Sequence, residues 1–505
     1  MTHPVLIAGA GPTGLTLALF LARRGVLPRI VDAKPGPVDQ SRALGVHART
    51  LELYRFAGIA ERVIAAGIPA ERVHLMSGER EVTGFSIAEM GEGISPYPFM
   101  LTFPQDDHER LLVEALREAG VEVEWNTCLA GFDQDEDGVT ARLDGPGGTD
   151  EARVAFLVGC EGGGSATRKA LGLSFEGGTN EGLFYVADVA TDRPSRDLFA
   201  ALAEDTVSLM MPVRQGGAQR VLGIVPPALS DRDDLGFEDL RHLPETTLGV
   251  RITQLNWFST YRVHHRVAER FGTGRIFIAG DAAHVHSPVG GQGMNTGIGD
   301  TANLAWKLAD VLRGRASPSL LESYESERIA FARVLIETTD EAFGPMVAQG
   351  RWSAFLRSVV APNALRLLTR MPGIPRRIFQ TVSQTRITYR DGPLAEGKAG
   401  SVRGGDRLPW VEGADNFAPL ASMDWQVHVY GAAPEALKGE AEALGLPMHA
   451  FDDEAAEGTG LAANGVYLIR PDAYVAAAWP RFEPGAIGAY LSRHGLDLAP
   501  REAAA

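Results

Sequence analysis

RIFIAGDAAHVHSPVGGQGMN, residues 275–295, decides how the rest of the chain is read. Arg275–Ala279 is an apolar run with the length and composition of a buried strand. It delivers one carboxylate, Asp281, into a loop. The glycine-rich turn Gly290-Gly291-Gln292-Gly293 then opens a long helical stretch that starts near Met294 or Asn295. This order aims backbone N–H groups and the positive end of a helix dipole at one spot. A planar ring that becomes anionic on reduction would be stabilised there.

The N-terminus carries a second signal. Pro4–Ala8 reads as a strand, Gly9-Ala10-Gly11-Pro12-Thr13-Gly14 follows directly, and Leu15–Arg24 has apolar residues at helical spacing. Gly9 serves a tight turn, Gly11 close approach of a pyrophosphate, and Gly14 helix–strand packing. A further strand, Pro28–Val31, ends in Asp32, where a carboxylate can hold an adenosine ribose. Glycines alone would be weak evidence; strand, glycines, helix, strand and acid in this order read as a dinucleotide site. Paired with the 275–295 segment, the dinucleotide reads as a flavin.

Length and composition bound the rest. A chain of 505 residues implies two or three domains. Hydrophobic content of 45% and charged content of 22% fit a globular protein. A net charge of −16 argues against nucleic acid or anionic membrane as the main partner. Val5–Ala22 is apolar but broken by glycines and Pro12, without a basic start, so it reads as neither signal peptide nor membrane span. Cys128 and Cys160 are the only cysteines, with no CxxC or metal spacing. A reducing cytoplasm fits this usage.

Along the chain, Ala48–Ala57 and Asp106–Ala119 read as helices and Glu122–Trp125 and Val154–Val158 as strands, with a hairpin around Asp133–Gly148. Leu183–Val189, Thr206–Pro212, Gln219–Val225 and a segment toward Tyr261 suggest an antiparallel sheet inserted as a substrate wall. Leu320–Ala342 and Trp352–Met371 read as amphipathic helices and Arg390–Pro409 as a linker. Trp425–Tyr430, Glu435–Leu444, Gly465–Ile469 and Tyr474–Ala478 suggest a small α/β domain. The expected class is α/β: a Rossmann-type FAD-binding domain in two parts (1–175 and 269–390), a substrate-binding sheet (176–268) and a C-terminal domain (391–505).

These motifs together resemble the class A flavoprotein aromatic monooxygenases, the para-hydroxybenzoate hydroxylase superfamily, over most of the chain. The branch most alike comprises phenol and polyketide hydroxylases with a redox-inactive, thioredoxin-like C-terminal domain; Gly465–Asp472 is similar to that domain's terminal strand signature. The resemblance implies FAD bound by Gly9, Gly11, Gly14, Asp32 and Asp281. It further implies Arg42 and Gln105 at the phosphate and ribityl region, Pro288 near the isoalloxazine, and Gly293, Met294 and Asn295 at its pyrimidine edge. Arg42 also reads as an ordinary surface arginine. Glu161-Gly162 aligns with the family's Asp-Gly motif linked to FAD and NAD(P)H, with a longer side chain.

The implied chemistry is NADPH- or NADH-driven hydroxylation of a phenolic or polyketide-type aromatic by O₂, through a flavin C4a-hydroperoxide. An antibiotic-inactivating monooxygenase and a FAD reductase without productive oxygen transfer remain as alternatives. Leu44 stands where relatives carry a polar residue, so His47 and Tyr261 are the candidates for proton handling. His47 also reads as a helix-capping or solvent-facing histidine, and His284 as structural. The expected partners are a small aromatic substrate, O₂ and NAD(P)H, with no metal; a homodimer is compatible with the chain, whose oligomeric state the sequence leaves open.

Overall fold

The computed structural model describes residues 3–499, except 40, 42, 204–205, 233, 287–290, 348–363, 365–366 and 368–370; at 179–181 and 335–347 it describes the backbone alone. The N-terminal domain is built on a six-stranded sheet in the order 272–273, 276–278, 156–159, 5–8, 29–32, 123–125. All neighbours are parallel except the short edge strand 272–273. Val5–Ala8 is apolar without alternation because both faces of the sheet are covered. Val5, Ile7, Ile30, Val158 and Ile278 pack under the helices. Leu6, Ala8, Val31, Leu157 and Ile276 face the other way, onto a three-stranded meander (Cys128–Gln134, Val139–Gly145, Gly148–Val154). The expected hairpin is two-thirds of this meander.

Helix Pro12–Arg23 begins with Pro12, whose missing N–H costs nothing at a helix start. It lies between helices Gln105–Glu118 and Gly293–Leu312. Its C-terminal neighbour Arg24 is buried, with one guanidinium nitrogen 2.6 Å from Asp310.

A second sheet has eight strands in the order 284–285, 252–268, 175–191, 218–224, 207–214, 198–202, 72–77, 80–86. It therefore recruits two strands, Arg72–Ser77 and Arg80–Ser86, from before residue 176, and one, His284–Val285, from the 275–295 loop. One face is sealed by helices Phe237–Leu240 and His242–Leu248, against which Tyr185, Ala187, Met210 and Val221 pack. The opposite face carries their alternates.

The C-terminal unit runs strand Gln426–Tyr430, helix Glu435–Ala443, strand Met448–Phe451, then strands Gly465–Ile469 and Val475–Trp479 and helix Ala486–Arg493. The order 448–451, 426–430, 465–469, 475–479, parallel in the first pair and antiparallel after, is the thioredoxin-like arrangement. The stretch expected as a linker is partly sheet: Glu396–Ala399 pairs with strand 475–479, and Val402–Arg403 continues the edge. Its glycines mark crowding rather than a flexible link, since a Cβ on Gly404 would overlap the Glu396 amide nitrogen. The helix expected at Leu320–Ala342 is a 3₁₀ turn, Pro318–Leu321, followed by helix Glu322–Val347. The Trp352–Met371 reading lies almost wholly outside the described residues.

Asp310 couples this unit to the first domain, accepting from Arg24 and, at 3.1 Å, from Trp425 Nε1. Asp310→Ala strands a buried guanidinium, and should lower unfolding stability in chemical denaturation by about 3–5 kcal/mol.

Candidate functional site

Three glycines shape the N-terminal turn in different ways. Gly9 has φ +104°, and a Cβ there would overlap the Cys160 carbonyl. A Cβ on Gly14 would overlap the Gly9 carbonyl oxygen. Gly11, at φ −81°, has no atom within 4 Å of the place a Cβ would occupy. The first two glycines close the turn; the third borders open space. Asp32 ends the neighbouring strand, its Oδ2 accepting from Ala10 N (2.6 Å) and its Oδ1 from Lys34 N (2.8 Å). A carboxylate has about four acceptor positions, so two remain for a ligand's hydroxyls.

The second half of the site follows strand Ile276–Ile278. Gly280 (φ +63°) starts the 3₁₀ turn that holds Asp281, an exposed residue. Its amide donates to Asp300 Oδ2 at 2.9 Å. Cβ atoms on Gly280 and Gly297 would each lie 2.5 Å from Thr13 Oγ1, so loop, long helix and fingerprint helix meet without space for a side chain. Asp300 also accepts from His284 Nε2 (2.7 Å) and Arg328 Nε (2.6 Å). Burial pushes the Asp300 carboxyl up, but Arg328, His284 and the Gly280 amide outweigh it and hold it at about 2.

Helix Gly293–Leu312 starts two residues beyond Gly291. The amides of its first turn have no intrahelical acceptor, so they and the dipole face the loop side. Asn295 is 1% exposed, and its side chain is fully engaged. Nδ2 donates to Gly45 O (2.9 Å) and Gly291 O (2.8 Å). Oδ1 accepts from His47 N (2.9 Å) and Thr50 Oγ1 (2.7 Å). That fills every position the amide offers. Asn295 therefore bolts the helix start to strand Gly45–Val46, and only its backbone is open to a ligand.

His47 is the residue before helix Ala48–Phe56 and is 2% exposed, which corrects the solvent-facing alternative. Its Nε2 comes within 3.9 Å of a Cβ built on Gly291, beneath the glycine turn. Gln105 opens its helix with Oε1 accepting from Ala43 N (3.2 Å) and Nε2 donating to Glu109 (3.0 Å). Glu161 accepts from Ser165 Oγ, Thr167 N and Thr167 Oγ1, at 2.8, 2.9 and 2.5 Å. Those bonds turn its carboxylate inward to the start of helix Ala166–Ala170. Arg42 and Pro288 lie outside the described residues. Met294 packs half-buried against the main core.

Tyr261 lies on the open face of the eight-stranded sheet. It stacks on Phe184 across the strand pair, centroids 5.7 Å apart, beside Val207, Ile224 and Val263. The same alternation puts Leu209, Met211, Leu222 and Trp257 on this face, all half-buried. Arg220 is the cation among them, 1% exposed, paired with Asp188 at 2.7 Å and 3.5 Å from Ser41 Oγ in the first domain. The sequence reading missed Arg220 and Asp188. Only the cross-strand register Asp188↔Arg220 brings them together.

Open space at Gly11, an acceptor at Asp32 and the start of helix Gly293–Leu312 fit an extended dinucleotide carrying a planar ring. The FAD binding domain model matches residues 2–339. The chain belongs to that family, among the class A flavoprotein aromatic monooxygenases. It is 35% identical to the 6-methylpretetramide 4-monooxygenase of Streptomyces rimosus, over 99% of this chain and 94% of the relative. It is 33% identical to the rifampicin monooxygenase of Streptomyces venezuelae, over 66% of this chain and 70% of that one. Among solved structures, aklavinone-11 hydroxylase in ternary complex with FAD and aklavinone matches with a TM-score of 0.77 and 26% identity, over 98% of each chain. The enzyme is a flavin-dependent monooxygenase. No helix among the described residues is long and apolar enough to cross a membrane.

Asp300 and Glu327 both sit at about 2 when folded, against ordinary values of 3.8 and 4.5. Their stabilisation is complete above the ordinary values and lost as pH falls toward 2. Burial likewise holds the His108 and His428 rings at about 3 against an ordinary 6.5, so melting temperature should begin to fall below about pH 6.5 and drop more steeply below about 4.5 as the carboxylates add their share. Asp300→Asn should start lower and show a shallower limb below about 4.5.

Proposed function

We propose that the protein hydroxylates a polycyclic phenolic substrate of polyketide type, using O₂ and NAD(P)H. The observation that carries this reading is the open face of the eight-stranded sheet. Apolar and aromatic side chains there (Phe184, Leu209, Met211, Leu222, Trp257, Tyr261) surround one buried arginine–carboxylate pair. Its edge strand, His284–Val285, belongs to the flavin loop itself. A flat apolar wall with few polar groups suits a fused-ring aromatic.

Bound FAD would accept a hydride from NAD(P)H and activate O₂ for transfer of one oxygen atom to the substrate. Gly11 and the fingerprint helix would take the diphosphate, Asp32 the adenosine ribose, and Asp281 the ribityl side. The amides of Gly293, Met294 and Asn295 would meet the pyrimidine edge, where negative charge gathers on reduction. The half-buried Gly162 and exposed Gly163-Gly164, with Gly163 beside Val285, would offer a small-residue approach for the nicotinamide.

Burial pushes the Tyr261 phenol up to about 12, against the opposing pull of Arg220. It therefore stays protonated at neutral pH and would donate a hydrogen bond to a substrate oxygen rather than remove its proton. His47, packed under the glycine turn, would orient that turn. A rifampicin-like antibiotic would use the same wall, so a substrate panel decides between a biosynthetic and an inactivating role. A reductase without oxygen transfer would release all its oxygen as peroxide.

Gly11→Ala should fold normally, because its backbone is ordinary and its Cβ meets nothing, yet should weaken FAD binding at least tenfold in a fluorescence titration. Tyr261→Phe should raise KM for the aromatic about fivefold, the worth of one hydrogen bond, and leave FAD affinity unchanged. The reading itself is tested by NADH and NADPH oxidation, peroxide release and product mass over phenols, tetracyclic aglycones and ansamycins. Stimulated oxidation with one added oxygen supports it; full recovery of oxygen as peroxide with every compound overturns it.

A further inference from the structure

We propose that the Arg470-Pro471-Asp472 turn of the C-terminal domain is a positioning element for the flavin, acting through buried polar contacts that end at the flavin loop. This rests on the reading that residues 280–295 hold the isoalloxazine end of FAD. One guanidinium, Arg470, 1% exposed, grips two carboxylates: Glu327 at 2.6 and 3.0 Å, and Asp472 at 3.0 and 2.6 Å. Glu327 in turn accepts from Asn303 (2.6 Å) and Lys307 (2.9 Å), both on helix Gly293–Leu312. Thus the domain is fastened to the helix whose start faces the ring.

A second route leaves the Asp472 carbonyl, which accepts from Arg49 Nη2 at 2.6 Å. Arg49 stands in the first turn of the helix that follows His47, and His47 N and Thr50 Oγ1 are the donors to Asn295 Oδ1. The third route runs through rings. Tyr474 packs against Tyr389 with centroids 4.3 Å apart and ring planes tilted by 36°, and the Tyr389 hydroxyl accepts from Arg328 Nη1 at 3.0 Å. Arg328 pairs with Asp300, which holds the Gly280 amide. The three routes reach the helix body, its first turn and the Asp281 loop. None reaches Gly11 or Asp32.

Planar, bidentate, desolvated pairs have one good geometry and little slack. A change at the turn therefore displaces their far ends instead of being absorbed on the way. This gives a domain without a CxxC pair a role in the chemistry of a site it does not line.

The test uses the full chain with Asp472→Asn, Arg470→Lys and the milder Tyr389→Phe, which keeps the ring against Tyr474 and removes only the hydroxyl. Arg493→Ala, which breaks an exposed pair with Glu396 in the same domain, is the control. The readouts are FAD and ADP dissociation constants, the visible spectrum and reduction potential of bound flavin, and the melting temperature of the apoprotein. The proposal expects FAD affinity to fall about tenfold, within the usual range of coupling between sites, and the flavin spectrum or potential to shift. ADP, which occupies only the fingerprint half, should bind as before, and the control should change nothing. Variants that lose thermal stability while FAD affinity, spectrum and potential stay at wild-type values overturn it, leaving the turn a purely structural clamp. Failure of the wild-type chain to bind FAD while it still binds ADP would instead remove the flavin-loop reading, and this proposal with it.

Discussion

Asp300 is a carboxylate with no contact with water, and much of the site depends on its being satisfied. An isolated buried charge would be far too costly to keep. Here three donors from two segments converge on it: the Gly280 amide and the His284 ring of the 275–295 loop, and the Arg328 guanidinium of helix Glu322–Val347. Each donor fixes something else. Gly280 fixes where the Asp281 turn begins, His284 fixes the strand that joins the eight-stranded sheet, and Arg328 fixes helix Glu322–Val347 against helix Gly293–Leu312 through the Thr296 carbonyl at 3.1 Å. Satisfying one charge therefore places the loop, the sheet edge and the helix together.

The pairing of His284–Val285 with strand Ile252–Ala268 extends this to the eight-stranded sheet. Arg266 lies opposite Val285 and Val267 opposite His284, and the same long strand carries Tyr261 and Trp257 further along. A one-residue slip would turn both away from the first domain. The loop cannot shift in register without moving the sheet face that carries Tyr261 and Trp257, so loop and sheet face stand in a fixed relation set by backbone pairing.

Much of this was legible in the sequence because it is local. The glycine fingerprint, Asp32, the apolar strands of the parallel sheet and the glycine-led start of the long helix each announce themselves within about ten residues. The strands and helix of the C-terminal domain were likewise readable from their spacing, and resemblance supplied their thioredoxin-like order. What was not legible is whatever depends on distant partners. Nothing near Asn295 reveals that His47, Thr50 and Gly45 consume its side chain. Arg220 looks like any sheet arginine until Asp188 falls opposite. Strands Arg72–Ser77 and Arg80–Ser86 form the far edge of their sheet, mostly half-exposed, so they show little alternation to read. Gly404 and Gly405 have the composition of a linker, yet Gly405 is there because a Cβ would collide with the Tyr389–Arg390 backbone.

Arginine use follows from the same constraint. Arg24, Arg49, Arg168, Arg220, Arg328, Arg407 and Arg470 are all buried, whereas Lys307 is the buried lysine among them. A guanidinium can stay charged in such places: its planar fork reaches two acceptors at once, and it is more weakly hydrated than an ammonium. Lys307 shows the difference. Burial, opposed by Glu327, brings its ammonium down to about 8, so it lies close to losing its proton where the neighbouring Arg470 does not. Junctions that must hold the same geometry across a range of pH are therefore better built from arginine. The contacts that tie the C-terminal domain to helix Gly293–Leu312 are built mainly that way.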